Sequence, residues 1–240
     1  MKKVVLFLSV VGATLLMTSC LGESETQYSG TPLSYITTSE SATVYARTTD
    51  GLPITSPGIK MESPGSFVFI AYSWKESLNT ITEEGIYNAT VSDISDPIEQ
   101  TNLVTTDAPE AEPELPLKAF EQALYAGAYF DYHWIFGYAY EEGDGNRKAL
   151  RFYHNLEEGT ENKVVIDVRL ENVPGTVDKD QTDILVAADL KVLNDYYAAD
   201  LSSGGRKDLK VYFRYYVEKT DGTVELYETP QPYTMTVAKE

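Results

Sequence analysis

Six aromatic residues stand at consecutive alternate positions: Phe130, Tyr132, Trp134, Phe136, Tyr138 and Tyr140. Two is the repeat of a β-strand, so this spacing puts all six on one face of an extended segment. Asp131, His133, Ile135, Gly137 and Ala139 then share the other face. A helix cannot gather them, because its faces repeat at three and four residues. A strand with that much apolar area on one side needs a second layer to cover it. The rest of the chain repeats the theme. Ala42 to Arg47, Phe67 to Trp74, Gly85 to Val91, Leu150 to His154 and Val164 to Leu170 read as strands, as do Leu209 to Glu218, Thr223 to Tyr227 and Tyr233 to Val237. Asp50-Gly51 marks a turn, and Asp221-Gly222 is a hairpin signal. The pattern predicts an all-β protein whose C-terminal part is an antiparallel β-sandwich. Leu117 to Tyr125 is the exception: Phe120, Ala123 and Leu124 share a helical face and predict one or two turns of helix. Residues 181 to 201 suit a helix as well as a strand.

The N-terminus sets the compartment. Lys2 and Lys3 precede an apolar run from Val4 to Met17, 14 residues long. A spanning helix needs about 20 apolar residues, so this is the charged start and short core of a secretory signal peptide, residues 1–19. Leu16-Met17-Thr18-Ser19-Cys20 resembles a bacterial lipobox, in which the Cys becomes the lipidated new N-terminus. Cys20 is the only cysteine of the chain. Its thiolate would take a diacylglycerol and its freed amine an acyl chain such as palmitate. Each buried methylene contributes about 0.8 kcal/mol, so two or more chains hold where one does not. Leu21 rather than Asp follows Cys20, which in that pattern implies the outer membrane. Gly22-Glu23-Ser24-Glu25 resembles a weak surface-export signal of Bacteroidota, so the cell surface is expected over the periplasmic side.

Beyond Cys20 the composition divides the chain. Residues 20–34, rich in Ser, Thr, Gly and Glu, read as a flexible stalk. Residues 35–106 read as a small β domain. The run from Asp107 to Glu114 alternates small residues, acids and Pro and cannot hold a helix or a central strand, so residues 107–117 read as a linker. Residues 118–240 form the second β domain.

In order along the chain, the lipobox at Cys20, Asp50-Gly51-Leu52-Pro53 with Pro57-Gly58, and Gly127-Ala128-Tyr129-Phe130 leading into Phe136-Gly137-Tyr138 resemble the NigD-like lipoprotein family of Bacteroidota. Leu150-Arg151-Phe152-Tyr153-His154-Asn155, Ala199-Asp200-Leu201-Ser202-Ser203 and the Asp221-Gly222 hairpin continue the match. The resemblance implies an OB-like barrel at the N-terminus and a β-sandwich after it. It also implies a bacteriocin-associated or self-protection role, from which the family takes its name. The acidic, Pro-rich linker departs from the pattern.

Charge and residue counts exclude much chemistry. The 240 residues hold 19 Lys and Arg against 37 Asp and Glu, a net of -18. Removal of residues 1–19 takes away two Lys and deepens this to -20. Such a surface repels nucleic acid, and it cannot dock on anionic lipid through basic residues. One Cys and two His rule out the usual zinc sites and any disulfide framework. His133 and His154 have no Gly-x-Ser-x-Gly nucleophile elbow to serve, and no phosphate loop occurs. Both read as hydrogen-bonded sheet histidines. Two acidic loops, Glu141 to Asn146 and Asp178 to Asp183, lack the spacing of a calcium loop and read as solvated tips. No metal or cofactor is implied.

What remains is recognition. Tyr132, Trp134, Tyr138 and Tyr140 are the candidate ligand-binding aromatics, since exposed rings stack on sugars. The competing reading, which the six-membered stripe favours, is the sandwich core. Tyr196-Tyr197 and Tyr212 with Tyr216 are further candidate surface aromatics. The chain is expected to be a non-enzymatic, lipid-anchored binding or accessory module for a protein or glycan partner. A glycan hydrolase at the surface ranks below the self-protection reading, because it needs two carboxyls across a cleft that no motif marks.

Overall fold

The computed structural model describes residues 26–78, 80–110, 115–141, 145–157, 162–177 and 179–239. The signal peptide and Cys20 lie outside the described residues, as do the linker residues 111–114, residues 142–144 of the first acidic loop and Asp178 of the second. Strands make up 55% of the chain and helix 8%, arranged as two curled half-barrel sheets. The all-β expectation holds.

The chain divides into two compact units, Met1–Ile98 and Glu99–Glu240. In the first, seven strands form one sheet: β1 (Gln27–Gly30), β2 (Leu33–Thr38), β3 (Val44–Thr48), β4 (Pro53–Thr55), β5 (Phe67–Lys75), β6 (Tyr87–Asn88) and β7 (Thr90–Ile94). β5 is the hub. It pairs β1 with Tyr28 opposite Trp74, β2 with Leu33 opposite Phe69, and β7 with Ile70 opposite Ile94. Its alternate residues Val68, Ile70, Tyr72 and Trp74 pack on Ile36, Ala46, Ile54 and Ile59. The Asp50-Gly51 turn forms as expected: Gly51 sits at φ +82° and donates to the Thr48 carbonyl at 3.0 Å. Strand structure starts inside the expected stalk, at Gln27, because β1 finds a partner edge on β5.

The second unit holds β8 (Glu99–Val104), β9 (Ala119–Tyr125), β10 (His133–Tyr140), β11 (Asn146–Tyr153), β12 (Lys163–Thr176), β13 (Gln181–Asp189), the helix α1 (Lys191–Tyr197), β14 (Arg206–Glu218), β15 (Val224–Glu228) and β16 (Tyr233–Ala238). Its nine strands run in the order β15-β14-β12-β11-β8-β13-β10-β9, with β16 also on β14. This sheet is mixed rather than purely antiparallel, since β8 runs parallel to both β11 and β13, and β12 parallel to β14. β8 also moves the division between units. The sequence reading put residues 99–106 in the first domain, but Thr101 and Leu103 are buried between β11 and β13 of the second sheet.

Two local expectations change. Leu117 to Tyr125 is not helical; Ala119–Tyr125 pairs with β10 as a strand, and Phe120 stacks on Phe136 with ring centroids 5.1 Å apart. Residues 181–201 become both things in turn, strand β13 and then helix α1. The aromatic stripe also breaks before the strand. Gly127–Phe130 is a 3-10 turn, Asp131 and Tyr132 take the left-handed conformation at φ 48° and 61°, and the strand starts at His133.

Candidate functional site

The four expected ligand-binding aromatics, Tyr132, Trp134, Tyr138 and Tyr140, are all buried. They face the core of the second unit with Phe136, so they offer no platform. Opposing strands cover them: Phe152 of β11 and Phe213 of β14 each bring a ring centroid within 5.1 Å of Phe136. The core reading of the stripe is the one the fold adopts, because that much aromatic area is most stable away from water. Tyr138 cannot easily ionise there, its phenol pushed up first by burial and then by the Glu99 carboxylate.

Both histidines are buried in the sheet. His133 meets the Phe130 carbonyl through Nδ1 at 3.0 Å. His154 meets the Val165 carbonyl at 2.8 Å and the Tyr197 hydroxyl at 3.3 Å. No cluster of metal-ligating side chains exists among the described residues. The two acidic loops each send a carboxylate to the same ammonium instead. Lys118 Nζ lies 2.7 Å from Glu141 and 2.8 Å from Asp180, and these partners raise its pKa, with Asp180 the larger cause.

Lys118 also borders a half-open cavity of about 600 Å³, together with Leu117, Lys148, Leu170, Glu218 and Lys219. Lys148 is the unusual member. It lies on the same face of β11 as the core residues Leu150 and Phe152 and is only 4% exposed. Its ammonium lies 5.5 Å from the Tyr140 ring centroid. Its position in the alternation Lys148, Leu150, Phe152 was the sequence signal.

The richest polar arrangement is on the opposite face of β11, β12 and β14. Val164, Ile166, Val168 and Leu170 of β12 belong to the core, so period two turns Asp167, Arg169 and Glu171 to the other face, where Asp167 and Arg169 are nonetheless buried. By the same rule Arg151 and Tyr153 leave the core face of β11, and Tyr212, Arg214 and Tyr216 that of β14. Register then brings them together: Arg151 stands opposite Arg169, Tyr153 opposite Asp167, and Asp167 opposite Arg214. Asp167 accepts from both neighbours, 3.1 Å from Arg169 and 2.6 Å from Arg214. Arg169 lies over the Tyr216 ring at 4.8 Å and Lys163 over that of Tyr212 at 4.7 Å. Tyr153 donates to Glu171 at 2.5 Å; burial, and after it that carboxylate, push its phenol up to about 12. Of this group the sequence marked only Tyr212 and Tyr216 as surface aromatics. The arginines and Asp167 were legible as polar residues alternating with core positions, but their meeting needs three strands in register.

No protein-family model and no curated protein matches the chain. Solved structures do. An uncharacterized protein from Parabacteroides merdae is 12% identical and superposes with a TM-score of 0.63, covering 88% of this chain and 99% of that one. A protein of unknown function from Bacteroides vulgatus is 14% identical, with a TM-score of 0.50 over 87% of this chain and 92% of that one. A NigD-like immunity protein from Bacteroides caccae is 13% identical, with a TM-score of 0.49 over 87% and 98%. None of these names describes an enzyme. At such identities the likeness is one of fold. The chain has the all-β fold of the Parabacteroides merdae and Bacteroides vulgatus proteins.

Proposed function

We propose that this chain is a lipoprotein of the outer membrane, lipidated at Cys20 and exposed at the cell surface, that acts as a non-catalytic binding module for a protein partner. The observation that carries the anchor is the order of the N-terminus: two lysines, a short apolar run, then the only cysteine of the chain. Among the described residues no helix is long and apolar enough to cross a membrane, and the first strand begins at Gln27. Support for binding over catalysis comes from the side chains. Both histidines are buried and hold backbone carbonyls.

Feeding cells labelled palmitate tests the anchor. The wild-type chain takes up label and Cys20→Ser does not; label that persists in Cys20→Ser overturns lipidation there. Protease added to intact cells tests the orientation. Digestion of the body fits surface exposure, and full protection until the outer membrane is broken places it on the inner side.

A further inference from the structure

The nine-stranded sheet ends at β15, and among the described residues β15 pairs with β14 alone. Two bonds at its ends set which way its backbone faces. Lys219 donates to the Thr223 carbonyl at 2.8 Å, and Thr229 donates to the Phe213 carbonyl at 2.9 Å. Alternate residues of an antiparallel pair exchange bonds, so Glu225 and Tyr227, like Thr223 and Thr229, turn their backbone groups to β14. The N–H and C=O groups of Val224, Leu226 and Glu228 then point off the edge of the sheet. All five residues of β15 are exposed, Leu226 at 44%. Natural proteins blunt such an edge with a bulge, a proline or a lysine. β9, at the other end of the sheet, has a register shift against β10. β15 follows β14 from Val224 to Glu228 without one, and Pro230 comes only after the strand has ended.

Charge and register decide what can add to this edge. Each carboxylate of β15 is met by a lysine of the same chain, Glu225 by Lys219 and Glu228 by Lys163 at 3.6 Å. The edge therefore carries little of the repulsion that a net charge of -18 sets up between copies. An antiparallel second copy can bond only where off-edge residues stand opposite off-edge residues. Centred on Leu226, the pairing sets Leu226 against Leu226, Val224 against Glu228 and Glu225 against Tyr227. No glutamate faces a glutamate, and each off-edge N–H and C=O of β15 meets its complement. Centred on Glu225, the pairing would oppose two glutamates at the closer, non-hydrogen-bonded spacing. Centred on Tyr227, it would set Val224 against Pro230, which has no N–H to give. The strand is thus complementary to itself in one register.

We propose that two copies of this chain join edge to edge through β15, antiparallel about a two-fold axis at Leu226, so that their sheets run on as one. The Leu226 pair supplies the apolar contact at the axis. Each Tyr227 stands across from a Glu225 carboxylate to which its hydroxyl can donate. One short strand from each copy makes a small interface, so the association is weak and reversible. It goes beyond the binding-module reading and does not depend on it.

The test uses the full chain carrying Cys20→Ser, which removes its only thiol. Sedimentation equilibrium over a rising concentration series is expected to show monomer passing to dimer. Leu226→Lys puts two like charges at the axis and should raise the dissociation constant by about tenfold or more. Leu226→Cys should link to itself under mild oxidation, because the axis holds the two Cα atoms about 5.5 Å apart, within disulfide range. Glu225→Cys and Glu228→Cys alone should link far less, whereas Val224→Cys mixed with Glu228→Cys should give a joined pair. A chain that stays monomeric at every concentration, or a Leu226→Cys chain that does not link, overturns the proposal. A dimer that Leu226→Lys leaves unchanged overturns it too, since the copies then meet elsewhere. So does a strongest link at Glu225→Cys, which belongs to another register. Oxidation among cell-envelope proteins that joins Leu226→Cys only to other chains makes the edge a site for a foreign strand, and this also overturns it. Every substituted side chain is exposed, so the variants keep the fold, which circular dichroism checks. The palmitate experiment reads a different residue, so a failure here leaves the anchor standing.

Discussion

Tyr140 holds residue 148 at two points. Its hydroxyl accepts the backbone N–H of Lys148 at 3.1 Å, and its ring lies 5.5 Å from the Lys148 ammonium. One aromatic residue at the end of β10 thereby satisfies a buried donor and steadies a buried cation where β11 begins.

That pairing predicts the effect of a single oxygen. Tyr140→Phe keeps the ring and leaves the Lys148 N–H short of its acceptor, which costs about 1–3 kcal/mol for a buried group. Urea denaturation of the two chains measures it. A change below experimental error would mean that water reaches this N–H after the oxygen is removed.

Trp134 sits in the densest part of the aromatic core, its ring 4.7 Å from Tyr125, 5.4 Å from Phe213 and 5.8 Å from Phe136. Trp134→Ala should lose about 3–5 kcal/mol through the cavity it opens. Trp134→Phe should lose clearly less, because it keeps an aromatic ring and removes an indole N–H that has no acceptor among the described residues. Thermal melts followed by circular dichroism rank the three chains.

Asp131 closes the 3-10 turn at φ 48° and receives the Lys191 ammonium at 2.8 Å. A β-branched residue cannot take this backbone region cheaply, so Asp131→Val should cost about 1–2 kcal/mol. Asp131→Gly relaxes the backbone and loses a surface ion pair, two small effects of opposite sign, and should stay within roughly 0.5 kcal/mol of wild type. Equal losses in both variants would assign the effect to the ion pair and not to the backbone.

Buried phenols set the alkaline limit. Tyr153 and Tyr215 are each pushed up to about 12, by burial first and then by Glu171 for Tyr153 and Tyr227 for Tyr215. Below pH 10 these phenols are neutral in folded and unfolded chains alike, and their contribution to stability is fully present. Between about 10 and 12 the unfolded chain releases protons that the folded chain retains, so stability falls as pH rises through that window. Absorbance of tyrosinate against pH should show an exposed set titrating first and a second set appearing together with unfolding. A single smooth titration with the fold intact would contradict the burial.

Much of the second sheet was legible because alternation is a local property. Leu150 to His154, Val164 to Leu170 and Leu209 to Glu218 announce strands through their own residues, and β11, β12 and β14 cover them. Leu117 to Tyr125 misled for an equally local reason. Phe120, Ala123 and Leu124 are spaced for a helix, yet the open edge of β10 offers hydrogen bonds that a short helix there would forgo. The acidic stretch after Asp107 drew attention as a boundary because of its composition. The change of unit comes earlier, at Glu99, where composition does not change at all.

The sequence by itself determined the all-β class, the inward or outward turn of alternate residues, the acidic balance and the resemblance to a lipidated, exported chain. Each of these follows from residue type and spacing along one segment. Only the tertiary structure decided that the aromatic stripe is core, that Lys148 lies inside the sheet, and that Arg169 and Arg214 meet at Asp167. Those outcomes depend on which strands become neighbours and in what register, and register is fixed by the summed burial of every face at once.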